Sequence, residues 1–401
     1  MVTSNYTLKH YIRKITPCDL YTTQTPMNSV LDAGVVLLLI LAKTQTLFNP
    51  LETIMLIKKS SSTFIAFCLL FSQFVLSAPQ QEDSKSNLID HYTIGGEGGW
   101  DLLTLDSKHH RLFVSRSSHV QVIDTETKKL VGDILETNGV HGIALADDLH
   151  TGFTSNGKSN SVTAFDLTTL KVIDTINVSG VNPDVILYEP ISKHLFVFNG
   201  RSANASVIDA VTRKEITTIA LSGKPELAVS DDSGKVFVNI ENKSEIAIID
   251  SATNTVVKTF HVGTGEEPTG LAIDKAHHRL FSVCDNNKMV ILDDETGKVI
   301  AEVKIGSGPD SAAFDPAKGI ALSSNGDGTL TLIKENDPEH FSVVKNIATQ
   351  KGTRTMAYDA VNHRAYLVTA AFGPTPAATK DLPKPRPEII PNTFEVLVVS
   401  L

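Results

Sequence analysis

A repeat of 40–44 residues runs through most of the 401-residue chain and constrains its fold more than any other feature. Seven copies align, and each contains four short runs rich in β-branched residues, separated by turn residues. Repeats of about 40–45 residues with four strands are typical of β-propeller blades. The aligned copies start at Asp101, His141, Asp184, Glu226, Thr269, Asp310 and Arg354. The sequence therefore predicts an all-β, seven-bladed β-propeller built of four-stranded antiparallel blades.

The two ends of the repeat region predict how the ring closes. The chain ends with FEVLVVSL, which supplies only the third strand of the seventh blade. The segment LIDHYTIGG at 88–96 precedes the first blade and has no partner there. Pairing these segments removes both free sheet edges, which otherwise promote aggregation. We therefore expect an N-terminal strand to complete the last blade, so that the propeller spans residues 88–401.

An aspartate recurs at the end of the third run in five of the copies. Its carboxylate can accept hydrogen bonds from the backbone two residues further along, which forms an Asx-turn. We interpret these side chains as turn residues. They are Asp124, Asp166, Asp209, Asp250 and Asp293.

Residues 55–78 follow the order of a secretory signal peptide. Lys58 and Lys59 supply positive charge, residues 64–76 form an apolar stretch, and small residues at 77–78 offer a cleavage site. The apolar stretch is shorter than the about 20 residues that span a bilayer. We expect a periplasmic or secreted protein without stable membrane insertion, and a polar tether over residues 79–87.

Residues 1–54 precede this leader and have two interpretations. They could form a second membrane element or an unusually extended leader, because residues 33–42 are an apolar run. We favour the interpretation that translation starts at Met55 and that residues 1–54 are a mis-called upstream extension.

Charge and cysteine content exclude several function classes. Beyond residue 78 the chain has 30 basic and 42 acidic residues, which argues against a nucleic-acid partner. Cys284 is the only cysteine left there, and no CxxCH or zinc-type spacing occurs. Trp100 is the only tryptophan, which argues against a stacked quinone cofactor. We expect a monomer without a cofactor.

The repeats resemble a known family in their general form and in several longer stretches. The more specific stretches are LFSVCDNNKMVILD, SSNGDGTLTLI, ATQKGTRTMAYD and PRPEIIPNTFEVLVV. From about residue 88 to residue 401 the chain is similar to the bacterial YVTN-repeat, YncE-like seven-bladed propellers. The resemblance implies an exported propeller, and it implies no particular activity, because the biochemical role of that family is mostly unassigned.

The aligned starts of the copies predict a polar opening. The first strand of each propeller blade lines the central channel, so these seven residues are expected around one end of it, the top face. Arg354 could hold an anion, His141 could titrate near neutrality, and the carboxylates could take protons or a cation. Asp327, in the loop SSNGDGT, is expected to lie beside Asp310. These eight residues form the predicted ligand-binding set.

Other polar features of the repeats have simpler interpretations. A second ring after the second strands consists of ordinary hairpin residues, namely Asn156, Asn199, Asn239, Asp285 and Asn325. Histidines in the turns between first and second strands belong to different blades, too far apart for one zinc ion, so no metal site is expected. We interpret them as solvated turn residues, namely His109, His110, His150, His277, His278 and His363.

Blade seven carries an insertion at about residues 371–392, between its second and third strands. Six prolines predict a stiff segment with polyproline character. It could fold over the top opening as a cover, or it could project towards a partner.

Two function hypotheses follow from these features. The first is a binding module that holds a small molecule or a protein at its top face. The alternative is a lactonase-like hydrolase or lactonising enzyme, in which His141 and Glu226 shuttle protons and Arg354 orients a carboxylate. Because no longer lactonase motif is matched, the sequence favours the binding module.

Overall fold

The computed structural model describes residues 87–380, 385 and 387–401, which form seven four-stranded antiparallel sheets. The sheets are the seven predicted blades. Blades one to four contain β2 (Leu103–Asp106), β3 (Arg111–Arg116), β4 (His119–Asp124), β5 (Lys129–Ile134), β6 (Val140–Ala146), β7 (Thr151–Asn156), β8 (Ser161–Asp166), β9 (Val172–Asn177), β10 (Pro183–Glu189), β11 (His194–Asn199), β12 (Asn204–Asp209), β13 (Lys214–Ala220), β14 (Pro225–Ser230), β15 (Lys235–Ile240), β16 (Glu245–Asp250) and β17 (Thr255–His261). Blades five to seven contain β18 (Pro268–Asp274), β19 (Arg279–Cys284), β20 (Lys288–Asp293), β21 (Val299–Lys304), β22 (Pro309–Asp315), β23 (Ile320–Asn325), β24 (Thr329–Asp337), β25 (His340–Ala348), β26 (Met356–Asp359), β27 (Arg364–Thr369), β28 (Glu395–Ser400) and β1 (Leu88–Thr93).

The core lies between neighbouring blades. The second and third strands of each blade are almost completely buried, whereas the outermost strands alternate between buried and exposed residues. Phe196 and Phe198 of blade three, for example, belong to one cluster with Val236 and Val238 of blade four. Such β-branched and aromatic residues suit a pleated surface that is covered on both sides. Burial between neighbouring blades therefore stabilises the ring.

The predicted ring closure is confirmed. β1 pairs antiparallel with β28, from Leu88 opposite Val399 to Thr93 opposite Glu395. Tyr92 of β1 is buried in the cluster that joins blades seven and one. The N-terminal strand thus supplies the outer strand of the last blade.

A buried arginine fixes the segment that follows β1. Arg116 is 1% exposed and donates hydrogen bonds to the carbonyl oxygens of Gly95 at 3.2 Å, Glu97 at 3.0 Å and Gly98 at 3.0 Å. Its guanidinium lies 3.8 Å from the ring centre of Phe394. Burial lowers the pKa of Arg116 to about 10. The sequence did not point to this contact between blade one and the closing strands.

The aspartates at the ends of the third strands form the predicted turns. Asp250 is the last residue of β16, and its Oδ1 accepts hydrogen bonds from the backbone of Ala252 at 3.0 Å and Thr253 at 2.8 Å. Corresponding bonds follow Asp124, Asp166, Asp209 and Asp293.

Several predictions about the N-terminal part fall outside the described residues. They concern the extension at 1–54, the leader at 55–78 and the tether, of which only Asn87 is described. Within the described ranges, no helix has the length and apolar character needed to cross a membrane.

Candidate functional site

A cavity of about 540 Å³ opens at the end of the ring where the inner strands begin. We call it the mouth. It is lined by Asp101, Leu102, Asp184, Val185, Lys224, Glu226, Leu227, Glu241, Glu267, Thr269, Asp285, Gly308, Pro309, Asp310 and Arg354. Six of the seven aligned repeat starts are among these residues, and its volume is in the range of small-molecule sites.

A bulge at the start of the inner strand presents the mouth side chains. In blade three, Pro183 pairs with Asn199 and Ile186 pairs with Val197, so Asp184 lies in an irregular stretch of the ladder. The ladders of blades two, four, five and six shift at the same point. Bulges bend a strand and re-aim a side chain. In these five blades the bulges explain how one polar residue can leave an otherwise apolar strand, whereas Asp101 and Arg354 precede the inner strands of blades one and seven.

His141 lies behind the lining of the mouth. Its Nδ1 is 2.6 Å from Oδ2 of Asp101 and 3.7 Å from Oδ1 of Asp184. Burial lowers the pKa of His141, but the neighbouring carboxylates outweigh this effect and raise it above the ordinary value. Gly157 leaves room for the imidazole, since a Cβ there would lie 2.8 Å from its Nε2. One atom each from Asp101, His141 and Asp184 lies within 4.8 Å of the others, so these three residues could hold a metal ion.

Carboxylates outnumber cations in the mouth lining. Seven acidic residues line the cavity together with two basic ones, Lys224 and Arg354. The Nζ of Lys224 lies 2.6 Å from Glu226 and 2.5 Å from Glu241. The Nε of Arg354 lies 3.2 Å from Asp310. Both cations are therefore paired already, and several carboxylates have no basic partner in the lining.

Burial in the mouth makes several of its carboxyl groups less acidic. Burial raises the pKa of Glu226 to about 7, although Lys224 opposes this effect. Burial also raises the pKa of Asp310 to about 6, against the pull of Arg354. The pKa of Asp184 is raised by burial as well. The mouth thus carries carboxyl groups that change charge close to neutral pH.

Three charged residues of the lining, Lys224, Glu241 and Glu267, were not predicted from the sequence, and Asp285 was predicted only as an ordinary hairpin residue of the second ring. Glu241 and Asp285 each follow the last residue of a second strand, where other blades have Gly157, Gly200 and Gly326. In blade four the second ring had been aligned two residues before this position, at Asn239. In an alignment of the repeats this position is a glycine in three blades and an acid in two, and that contrast could have identified both acids as mouth residues.

Most members of the predicted second ring do not face the mouth. Asn156, Asn199, Asn239 and Asn325 are fully buried. Asn156 donates to Thr163 at 2.9 Å, and Asn239 donates to the carbonyl oxygen of Gly270 at 3.0 Å. These amides bind polar groups inside or between blades, as hairpin residues do.

Two predicted mouth residues have other hydrogen-bond partners. Asp327 is not in the lining of the mouth, and its carboxylate accepts hydrogen bonds from the Ser307 amide at 2.8 Å and the Thr329 hydroxyl at 2.6 Å. Thr269 does line the mouth, but its hydroxyl donates to the carbonyl oxygen of Pro309 at 2.9 Å.

The blade-seven insertion lies beside the mouth. Phe372 and Ile389 form an isolated bridge at its base. Described residues of the insertion line a second cavity of about 630 Å³ together with Trp100 and Arg354. We call this cavity the groove. Trp100 packs against Phe372 at 6.1 Å between ring centres, so the wall of the groove is aromatic. Because Arg354 lines both cavities, the groove adjoins the mouth.

Comparison with known proteins supports the fold. No protein-family model and no curated protein matches the chain. Among solved structures, it is similar to Kuenenia stuttgartiensis hydrazine synthase, with 18% identity, a TM-score of 0.59, and coverage of 68% of this chain and 93% of that one. It is also similar to the WD40 repeats of RRP9, with 8% identity, a TM-score of 0.65, and coverage of 77% and 97%. At these identities the likeness establishes the propeller fold alone.

Proposed function

We propose that this protein is an exported, YVTN-type propeller that works as a binding module, and that its mouth binds a small organic cation. The excess of carboxylates over basic residues in the mouth lining carries this proposal. The predicted leader at 55–78 supports export, and the stretches listed above support the family assignment.

The chemistry of the mouth favours positively charged amino groups. Charge-assisted hydrogen bonds between an ammonium group and a carboxylate are stronger than neutral ones. Burial raises the pKa values of Glu226 and Asp310, and their basic partners Lys224 and Arg354 do not offset this effect, so the two carboxylates have less positive charge around them than their burial requires. An amine that enters the mouth would supply it.

In the sequence, Arg354 was the one mouth residue that favoured an anionic ligand. In the folded protein its guanidinium is already paired with Asp310, and Lys224 is paired with Glu226 and Glu241. An incoming anion would meet the remaining carboxylates at close range, which is unfavourable. The adjoining groove could accommodate an apolar part of a cationic ligand against Trp100 and Phe372.

Calorimetric titration with spermidine at about pH 8 tests this proposal, with citrate as the anionic comparison. We expect spermidine to bind and citrate not to bind. Glu226→Gln should weaken spermidine binding about tenfold, because it removes a charged partner worth about 1.4 kcal/mol. Glu126→Gln is the matched control, since Glu126 is 68% exposed and contacts His110 of a turn remote from the mouth. Binding of citrate without binding of spermidine would contradict the proposal. Equal spermidine affinities of Glu226→Gln and Glu126→Gln would contradict it as well.

The hydrolase alternative rests on Glu226, whose pKa of about 7 suits a general base. If the protein hydrolyses lactones, the wild type should release acid from a lactone panel and Glu226→Gln should not. Absence of turnover together with spermidine binding would favour the binding module.

A further inference from the structure

A cluster of three ligand-type side chains lies at the opposite end of the ring from the mouth, between blades five and six. Asp274 ends β18, His277 lies in the turn that follows, and Glu335 belongs to β24 of the next blade. The Nδ1 of His277 lies 2.7 Å from Oδ2 of Asp274 and 3.0 Å from Oε1 of Glu335. One atom from each residue lies within 4.8 Å of the others.

The hydrogens available in this cluster cannot satisfy both carboxylates. Asp274 and Glu335 have side chains that are only 3% and 4% exposed. Neither carboxylate oxygen of Glu335 accepts a hydrogen bond of normal geometry. Nδ1 of an imidazole carries at most one hydrogen, and that of His277 faces both carboxylates. A buried carboxylate without donors is costly, so the cluster lacks positive charge.

Burial raises the pKa of Glu335, and the nearby Asp274 raises it further. This direction agrees with a buried pair of acids that has too few cations around it.

Blade one contains the same turn without this problem. Its sequence DSKHHR corresponds to DKAHHR in blade five. Asp106 is 2.9 Å from Nδ1 of His109 and also pairs with Nη2 of Arg111 at 2.6 Å. In blade two, the amide of Leu167 donates a hydrogen bond to the carbonyl oxygen of the residue that precedes the second strand. The amide of Glu335 makes the same bond in blade six, so the two residues occupy equivalent positions. Blade six thus has an acid where blade two has an apolar residue.

The arginine of blade five is directed away from the cluster. Arg279 corresponds to the arginine of the blade-one turn, but it donates to Asp293 at 2.9 Å and to Glu339 at 3.0 Å. Relative to blade one, this interface has therefore gained a buried carboxylate and lost its neutralising cation.

We propose that Asp274, His277 and Glu335 bind a divalent transition-metal ion of the zinc type, which joins blade five to blade six. An imidazole nitrogen with two carboxylate oxygens is a ligand set suited to such ions, whereas calcium and magnesium prefer oxygen alone. Ligand atoms around tetrahedral zinc are about 3.4 Å apart, so the ligands need only small movements. His277 is 50% exposed, so water can complete the coordination.

The sequence predicted no metal here, because the histidines that recur in its turns belong to different blades. The missing ligand comes from a third strand of the next blade, so no turn-to-turn spacing revealed it.

Zinc titration of chelator-treated, full-length protein tests the proposal, with calorimetry and the melting temperature as readouts. We expect zinc to bind, to raise the melting temperature, and to lose this effect when chelator is added. His277→Gln and Glu335→Leu should each weaken zinc binding at least about tenfold. Glu335→Leu copies the residue present at the blade-two position, so it is expected to fold.

Two control variants locate the metal ion. His109→Gln alters the corresponding turn of blade one and should bind zinc as the wild type does. His141→Gln removes the imidazole of the other candidate group, at the mouth, and should also leave zinc binding unchanged. Failure of the wild type to bind zinc would overturn the proposal. Unchanged binding by Glu335→Leu, or loss of binding in His141→Gln alone, would overturn it as well.

Discussion

At the scale of single residues, the mouth is set apart by carboxyl groups that titrate near neutral pH. Burial raises the pKa of Glu226 to about 7 and that of Asp310 to about 6. Each group holds its proton more tightly in the folded chain than in the unfolded one. Their ionisation therefore destabilises the folded state as pH rises, and an ammonium group in the mouth would relieve this cost.

The raised pKa values predict a pH dependence for ligand binding. Spermidine affinity should rise between about pH 5.5 and about pH 8, because the mouth carboxylates lose their protons in that range. Glu226→Gln should flatten the profile, since one titrating group is removed. Calorimetry over the pH range measures this, and an equally steep profile in the variant would show that Glu226 does not participate.

The same residue predicts a change in stability without ligand. A raised pKa for Glu226 means that the free energy of unfolding falls as pH rises from about 4.5 to about 7. Glu226→Gln should therefore melt at a higher temperature than the wild type at about pH 8, by a few degrees, and show no gain at about pH 4.5. Calorimetric scans at the two pH values check this prediction. A lower melting temperature of the variant at both would contradict it.

The repeat alignment was sufficient to place six of the predicted residues in the mouth, because every inner strand begins at the same end of the ring. Lys224 was missed because it lies in the loop before its strand. The bulges were missed because they depend on pairing between strands and leave no sign in the alternation of residues.

At the scale of elements, Arg116 connects blade one to the closing strands. Its side chain contacts three carbonyl groups of residues 95–98 and the ring of Phe394. Its Nη1 also donates to Oε1 of Gln121 at 2.6 Å, so its role depends on these carbonyl, amide and aromatic contacts. A regular propeller pattern does not predict such a residue, since it occupies the end of one strand in one blade only.

Replacing Arg116 should weaken this connection. Arg116→Met leaves the carbonyl oxygens of Gly95, Glu97 and Gly98 without their donor, and we expect a loss of about 3 kcal/mol in the free energy of unfolding. Urea denaturation measures it. Arg201→Met, at an exposed arginine of blade three, is the control. An unchanged midpoint for Arg116→Met would contradict the assigned role.

At the scale of the whole molecule, the ring is closed by β1 on β28, and this closure was predictable. The chain ended one strand short of a full blade, and an unpaired strand preceded the first one, so only one pairing removed both edges. The joining of blades by buried polar groups, such as Glu335 against the blade-five turn, was not predictable, because it depends on contacts between different repeats.

Deletion of residues 88–94 tests the closure. A chain that lacks β1 exposes the backbone of β28 and loses Tyr92 from the cluster between blades seven and one. We expect a lower melting temperature or aggregation, compared with a control chain that begins at residue 87. An identical melting curve would mean that the ring is stable without β1.

The most direct test of the proposed function is a crystal structure of the protein grown with spermidine at about pH 8. We expect electron density for the amine inside the mouth, with nitrogen atoms within about 3 Å of carboxylate oxygens of Glu226, Asp310 or Asp184. A structure in which the mouth contains no amine, at a spermidine concentration that saturates binding in solution, would contradict it.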